Sequence, residues 1–130
     1  MENLVIQGSK DNFYIPSVNF DAYTGLLEIS GESYLEDTKS FYDPVMDWLN
    51  DFISNTEIPI TLNVRLSYYN TSSSRSILDM LHILKDFEEK GGYVQVNWFF
   101  NEDDVDVEEE VEDFELDSGV KINLKRLEEE

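Results

Sequence analysis

Residues 58–69 predict a strand, and from Ile60 to Tyr68 apolar and polar side chains alternate without a break. Ile60, Leu62, Val64, Leu66 and Tyr68 fall on one face, and Thr61, Asn63, Arg65 and Ser67 on the other. This period of two belongs to a strand buried on one side. A helical period follows almost at once. Ile77, Met80, Leu81, Leu84 and Phe87 form an apolar stripe over residues 73–90, closed by Gly91-Gly92. Residues 93–100 make another strand, so rich in bulky side chains that an interior place in a sheet is expected. A strand, a helix and a second strand in immediate succession commit the chain to a sheet with helices packed on it.

The flanking segments extend this plan. Leu4, Val5 and Ile6 predict a first strand. Residues 13–20 predict a second, with Pro16 arguing for an edge position. Residues 21–25 read as a turn and residues 26–29 as a third strand, close enough to the second for an antiparallel hairpin. Residues 31–39 are polar and predict a loop. Phe41, Val45, Trp48, Leu49 and Phe52 then fall at helical spacing. Asp43 before Pro44 fits a cap and first helical position; a start near Thr38 would instead place Pro44 inside the helix. Val107, Val111 and Phe114 predict a third helix with an acidic outer face, ending near Ser118-Gly119. Val120, Ile122 and Leu124 alternate into a last strand. The order β-β-β-α-β-α-β-α-β implies an α/β fold, a mixed sheet covered by helices. It forms a single domain over residues 1–127, with 128–130 as a frayed acidic tail.

Composition narrows the function. The 130 residues carry 29 acidic and 9 basic side chains, a net charge of −20. Ten of the acidic residues lie between positions 102 and 115 with no basic residue among them. Such a surface repels phosphate backbones and anionic headgroups, so neither nucleic acid nor membrane is expected as a partner. A protein with a basic patch would be attracted. With no cysteine there are no disulfides, thiolate metal sites or Cys nucleophiles. No targeting segment or membrane span is legible, and a cytoplasmic setting is expected.

The chemistry concentrates in Tyr68-Tyr69-Asn70-Thr71-Ser72-Ser73-Ser74-Arg75, four hydroxyls at a strand-to-helix junction. In α/β sheets this end of a strand is where ligands bind. A helix N-terminus offers unpaired N–H groups and partial positive charge, and Arg75 adds a cation. Three readings remain open: Ser or Thr capping of the helix, binding of a phosphate, or covalent acceptance of one. The Gly-x-Ser-x-Gly and Walker patterns are absent. The only histidine, His82, is read as a partly buried structural residue beside the apolar stripe. Glu102-Asp103-Asp104-Val105-Asp106 lacks the glycine of a calcium loop and is read as solvated. Asn70-Thr71-Ser72 matches a glycosylation sequon, taken as chance. Residues 31–37, with Tyr34, Phe41 and Tyr42, suggest an aromatic contact surface on the same sheet end, against the plainer reading of a turn with core aromatics.

Several stretches in order resemble one family. They are Ile15-Pro16-Ser17-Val18-Asn19-Phe20-Asp21, Gly31-Glu32-Ser33-Tyr34 with Glu36-Asp37, Phe41-Tyr42-Asp43-Pro44 with Trp48-Leu49, Tyr69-Asn70-Thr71-Ser72-Ser73-Ser74-Arg75, and Val94-Gln95-Val96-Asn97-Trp98. Together they resemble the SiaC-like regulatory phosphoproteins, bacterial signalling proteins related in fold to anti-sigma-factor antagonists. Leu35, where proline is frequent, and Val111, where glycine is, depart from the family pattern. The resemblance implies a STAS-like fold, no catalysis and no cofactor. It implies a switch run by reversible phosphorylation of Thr71, with Asn70, Ser72, Ser73, Ser74 and Arg75 as its neighbours. A kinase of the histidine-kinase-like ATPase type would add the phosphate and a PP2C-type phosphatase remove it. The unphosphorylated form would bind and activate a diguanylate cyclase, tuning biofilm formation. Glu32, Ser33, Tyr34, Glu36, Phe41, Tyr42 and Tyr69 are the expected docking residues. The alternative is a small-anion or phosphometabolite-binding domain using the same helix N-terminus.

Overall fold

The computed structural model describes residues 1–10 and 14–127. Six strands form one sheet in the order of the sequence, β1(Leu4–Ile6), β2(Ser17–Phe20), β3(Leu26–Ser33), β4(Ile60–Tyr69), β5(Val94–Phe100) and β6(Ile122–Arg126). The β1–β2 and β2–β3 pairs are antiparallel. From β3 onward each pair is parallel, and each connection carries one helix: α1(Thr38–Asn55), α2(Thr71–Glu89) and α3(Val107–Ser118). All three crossovers step the same way along the sheet. Crossovers of one hand then place every helix on the same face. The core lies between those helices and the sheet. Leu27, Ile29, Leu62, Val64, Val96 and Trp98 meet Leu49, Phe52, Ile77, Leu81 and Leu84, all buried.

The opposite face has no helix over it and is polar. Asn97 Nδ2 donates to Asn63 Oδ1 at 2.9 Å, and Asn123 Nδ2 donates to Asn97 Oδ1 at 3.4 Å, a ladder across β4, β5 and β6. Arg65 pairs with Glu28 at 3.2 Å and lies 3.7 Å over the Phe99 ring. Parallel strands are usually covered on both faces. Here side-chain amides and an ion pair take over the outer face, which explains why polar residues alternate so strictly in β4.

Four expectations are corrected. The second strand is not an edge: β2 lies between β1 and β3. Pro16 stands just ahead of it, where no ladder needs its missing N–H. The start expected at Phe13 lies outside the described residues, as does the 128–130 tail. The third strand runs on through Ser33, so residues 31–33 are strand rather than loop. The helix expected at Asp43-Pro44 starts at Thr38 with Pro44 inside it. Asp37 caps it: its carboxylate accepts from Ser40 N at 3.2 Å and Ser40 Oγ at 2.6 Å. Those bonds, the hydroxyl's first, hold the Asp37 carboxyl below its usual value.

The fourth correction concerns phase. The β3–β4 register passes from Gly31↔Leu66 to Glu32↔Tyr68, leaving Ser67 as an extra residue in β4. This bulge inverts the alternation. Tyr68, which strict period two assigns to the buried set, is 49% exposed, and Tyr69 turns toward the helices, its ring 5.9 Å from that of Trp98.

The β2–β3 turn depends on Gly25, whose φ is +78°. Its carbonyl accepts from Thr61 N at 2.9 Å. A Cβ there would stand 2.2 Å from the Pro59 carbonyl oxygen. Gly25→Ala is expected to lower stability by at least about 2 kcal/mol, read as a fall in the urea midpoint with the slope unchanged.

Candidate functional site

The carboxyl ends of β3 and β4 lie side by side, and the first turns of α1 and α2 stand directly above them. Asn70, leaving β4, caps α2: its Oδ1 accepts from Ser73 N at 2.9 Å. The helix therefore begins at Thr71, two residues earlier than the apolar stripe suggested, and all four hydroxyls sit inside its first turn. Capping by Ser or Thr is thereby corrected. Asn is among the best capping residues, a signal present in the sequence and passed over for the hydroxyls beside it.

Each hydroxyl has a different fate. Ser73 is fully buried. Its Oγ donates to the Ser33 carbonyl at 3.1 Å and accepts from Ser33 Oγ at 2.8 Å. Ser33 Oγ in turn lies 2.7 Å from the Tyr42 hydroxyl. With Ser33 Oγ already donating to Ser73, the Tyr42 hydroxyl is the donor. This chain of bonds crosses from α1 to β3 to α2, and burial pushes the Tyr42 phenol above its usual value. Ser72 Oγ donates to Asn70 Oδ1 at 3.2 Å and lies 2.7 Å from Thr38 Oγ1, joining the first turns of the two helices. Ser74 Oγ donates to the Thr71 carbonyl at 2.8 Å. Thr71 is exposed, and its hydroxyl alone of the four has no hydrogen-bond partner among the described residues.

Thr71 opens into a groove between α2 and α3 of about 510 Å³. Arg75 and Ser74 line one wall; Glu110, Asp113 and Asp117 line the other. Arg75 is exposed and makes no ion pair among the described residues. Tyr69 forms the groove's base. Its ring contacts Trp98 at 5.9 Å and Phe114 at 6.2 Å, and its hydroxyl donates to Glu110 at 2.5 Å. Burial first, then Glu110, pushes its phenol far above the usual value. Among the described residues no group of three or more His, Asp or Glu side chains is disposed to hold a metal ion.

The expected docking residues divide. Glu32, Tyr34, Glu36, Phe41 and Tyr69 all reach solvent to some degree. Ser33 and Tyr42 do not, at 0% and 2% exposure. Both are corrected from surface contacts to internal supports of the α2 turn. His82 is exposed rather than partly buried. Tyr14 and Glu110 escaped the sequence reading: the first meets Tyr34 only through a bridge between distant segments, the second meets Tyr69 across 41 residues.

The profile of the SiaC family regulatory phosphoproteins matches residues 6–127. The chain belongs to this family. An uncharacterized protein of Pseudomonas aeruginosa strain UCBPP-PA14 is 31% identical over 117 residues, 90% of each chain. SiaC of Pseudomonas aeruginosa superposes with a TM-score of 0.86 at 28% identity, covering 98% of this chain and 100% of that one. A second SiaC structure shows it as the activator in complex with the diguanylate cyclase SiaD; it matches at TM-score 0.87 and 28% identity, over 95% and 99% of the two chains.

Asn70→Ala is expected to cost about 1 kcal/mol, while Thr71→Ala stays within about 0.5 kcal/mol of wild type; urea titration separates the two. The raised Tyr69 phenol contributes stability that is fully present below the ordinary value of 10 and lost as pH rises above it. Tyr69→Phe should therefore flatten the alkaline fall in stability above pH 10, followed by the urea midpoint at successive pH values.

Proposed function

We propose that this chain is a non-enzymatic switch protein whose state is set by reversible phosphorylation of Thr71. The observation that carries this reading is the free, exposed hydroxyl of Thr71 in a turn whose capping is supplied by Asn70. A kinase can reach this oxygen without breaking a structural bond, whereas Ser73 is buried and Ser72 and Ser74 are engaged. A kinase of the histidine-kinase-like ATPase type and a PP2C-type phosphatase are the proposed enzymes, acting in the cytoplasm. The proposed target is a diguanylate cyclase, bound by the unphosphorylated form, as SiaC of Pseudomonas aeruginosa binds and activates SiaD.

The groove explains how a phosphate would change the surface. It adds about −1.5 to −2 charges beside Glu110, Asp113 and Asp117, with Arg75 and the α2 N-terminus as the attractive partners. The same three carboxylates weigh against the small-anion alternative, since a free anion would meet that wall without a covalent tether. Exposed Tyr34 and Glu36 and partly exposed Glu32 and Phe41 supply the docking surface next to the acceptor, while buried Ser33 and Tyr42 hold it in place.

Incubation with the cognate kinase and ATP should add one phosphate to the wild type and none to Thr71→Ala, read by intact mass. Thr71→Glu should lose cyclase binding while Thr71→Ala keeps it. A phosphate that persists in Thr71→Ala removes the assignment.

A further inference from the structure

Beside the phosphorylation turn, but on the helix-free face of the sheet, three tyrosines gather from distant parts of the chain. Tyr14 and Tyr34 exchange backbone hydrogen bonds at 3.1 and 2.8 Å. The Tyr34 and Tyr68 rings lie 5.9 Å apart. All three are exposed, at 40%, 47% and 49%. The Ser67 bulge is what delivers Tyr68 to this face, at a position the alternation of β4 would otherwise bury. Aromatic side chains grouped on the surface, rimmed by polar residues, mark interaction sites, and tyrosine is enriched among residues that dominate binding energy.

The rim is acidic. Tyr68 also lines a groove of about 320 Å³ at the carboxyl end of β4, whose far side is Asp103, Asp104 and Asp106. Glu102 of the same segment is paired with Arg126 at 2.9 Å. Asp103 and Asp106 have no ion pair among the described residues. Glu32 pairs with Tyr68 in the β3–β4 register. The same face already shows how it receives a cation, with Arg65 stacked 3.7 Å over Phe99 and held by Glu28. Tyr68, which shares its groove with unpaired Asp103 and Asp106, offers the same two elements, an aromatic ring and carboxylates, without the arginine.

We infer that the Tyr14–Tyr34–Tyr68 patch and the adjoining aspartates are a docking surface for an arginine-bearing segment of a protein partner. Guanidinium groups would stack on the rings while the aspartates pair with them. The inference rests on the reading of the chain as a partner-binding protein, but not on the chemistry at Thr71. It extends the contact surface beside the phosphorylation turn, with which it shares Tyr34 and Glu32, onto the helix-free face of the sheet.

The probe is a short amphipathic peptide with arginines along one face, compared with its counterpart carrying glutamine at each arginine. Both are titrated into the full-length, isotope-labelled protein and followed by amide chemical shifts. The arginine peptide should bind, with shifts centred on Tyr14, Tyr34, Tyr68 and residues 101–106; the glutamine peptide should not. Tyr34→Ala with Tyr68→Ala leaves the net charge unchanged and should weaken binding about tenfold. Tyr34→Phe with Tyr68→Phe, which keeps the rings, should bind as wild type and guards against a folding artefact. Asp103→Asn with Asp106→Asn should weaken binding and reduce its salt dependence.

Binding unaffected by the alanine pair, or shifts centred on the acidic face of α3, overturns the inference, because general attraction to an acidic protein would explain the result. A phenylalanine pair as weak as the alanine pair overturns it too. The switch is judged separately by Thr71→Glu and cyclase binding, so either proposal can fail while the other stands.

Discussion

The hydrogen-bond chain from Tyr42 through Ser33 to Ser73 is the constraint on which the functional end of the molecule depends. It is fully buried and satisfied, and each member comes from a different element. A half-satisfied buried hydroxyl is costly, by about 1–3 kcal/mol, so the three cannot drift apart independently. The result is that α1, β3 and α2 share one geometry at the carboxyl end of the sheet. Asn70 tightens this further: its N–H donates to the Ser33 carbonyl at 3.1 Å and its Nδ2 reaches the Leu35 carbonyl at 3.5 Å. The proposed acceptor turn and the segment proposed to meet the partner are thus a single laced unit.

The one-directional crossovers give this unit its setting. With every helix on one face, the sheet keeps one side for packing and leaves the other to amides, charges and exposed tyrosines. The two sides are joined at β4, where the Ser67 bulge sends Tyr68 outward and Tyr69 inward. Tyr69 then packs on Trp98 and Phe114 and bonds Glu110, which sets the acidic wall of α3 opposite Thr71.

Much of this was legible in the sequence because it follows from periodicity. The alternation in β4, the apolar stripe of α2, the Gly91-Gly92 stop and the Val107, Val111, Phe114 spacing all depend on local pattern. What was not legible depends on contacts between distant residues. Pro44 argued for a helix start, but Asp37 and its two bonds from Ser40 outweighed it. Period two misassigned Tyr68 because a bulge leaves no mark in composition. Ser33 and Tyr42 looked like surface residues because nothing local shows that two polar groups satisfy each other in the interior. Asn70-Thr71-Ser72-Ser73 could be singled out, but which of its hydroxyls was unoccupied required the fold.

The division of labour between Asn70 and Thr71 has a consequence for the lifetime of a signal. The residue that starts α2 and the residue that would carry its modification are adjacent but distinct. Adding or removing a group on Thr71 therefore leaves the cap, the buried hydroxyl chain and the aromatic base intact. Folding stability and signalling state become separate variables. Under the proposed switch, the persistence of either state would be set by the opposing enzymes rather than by the cap or the core.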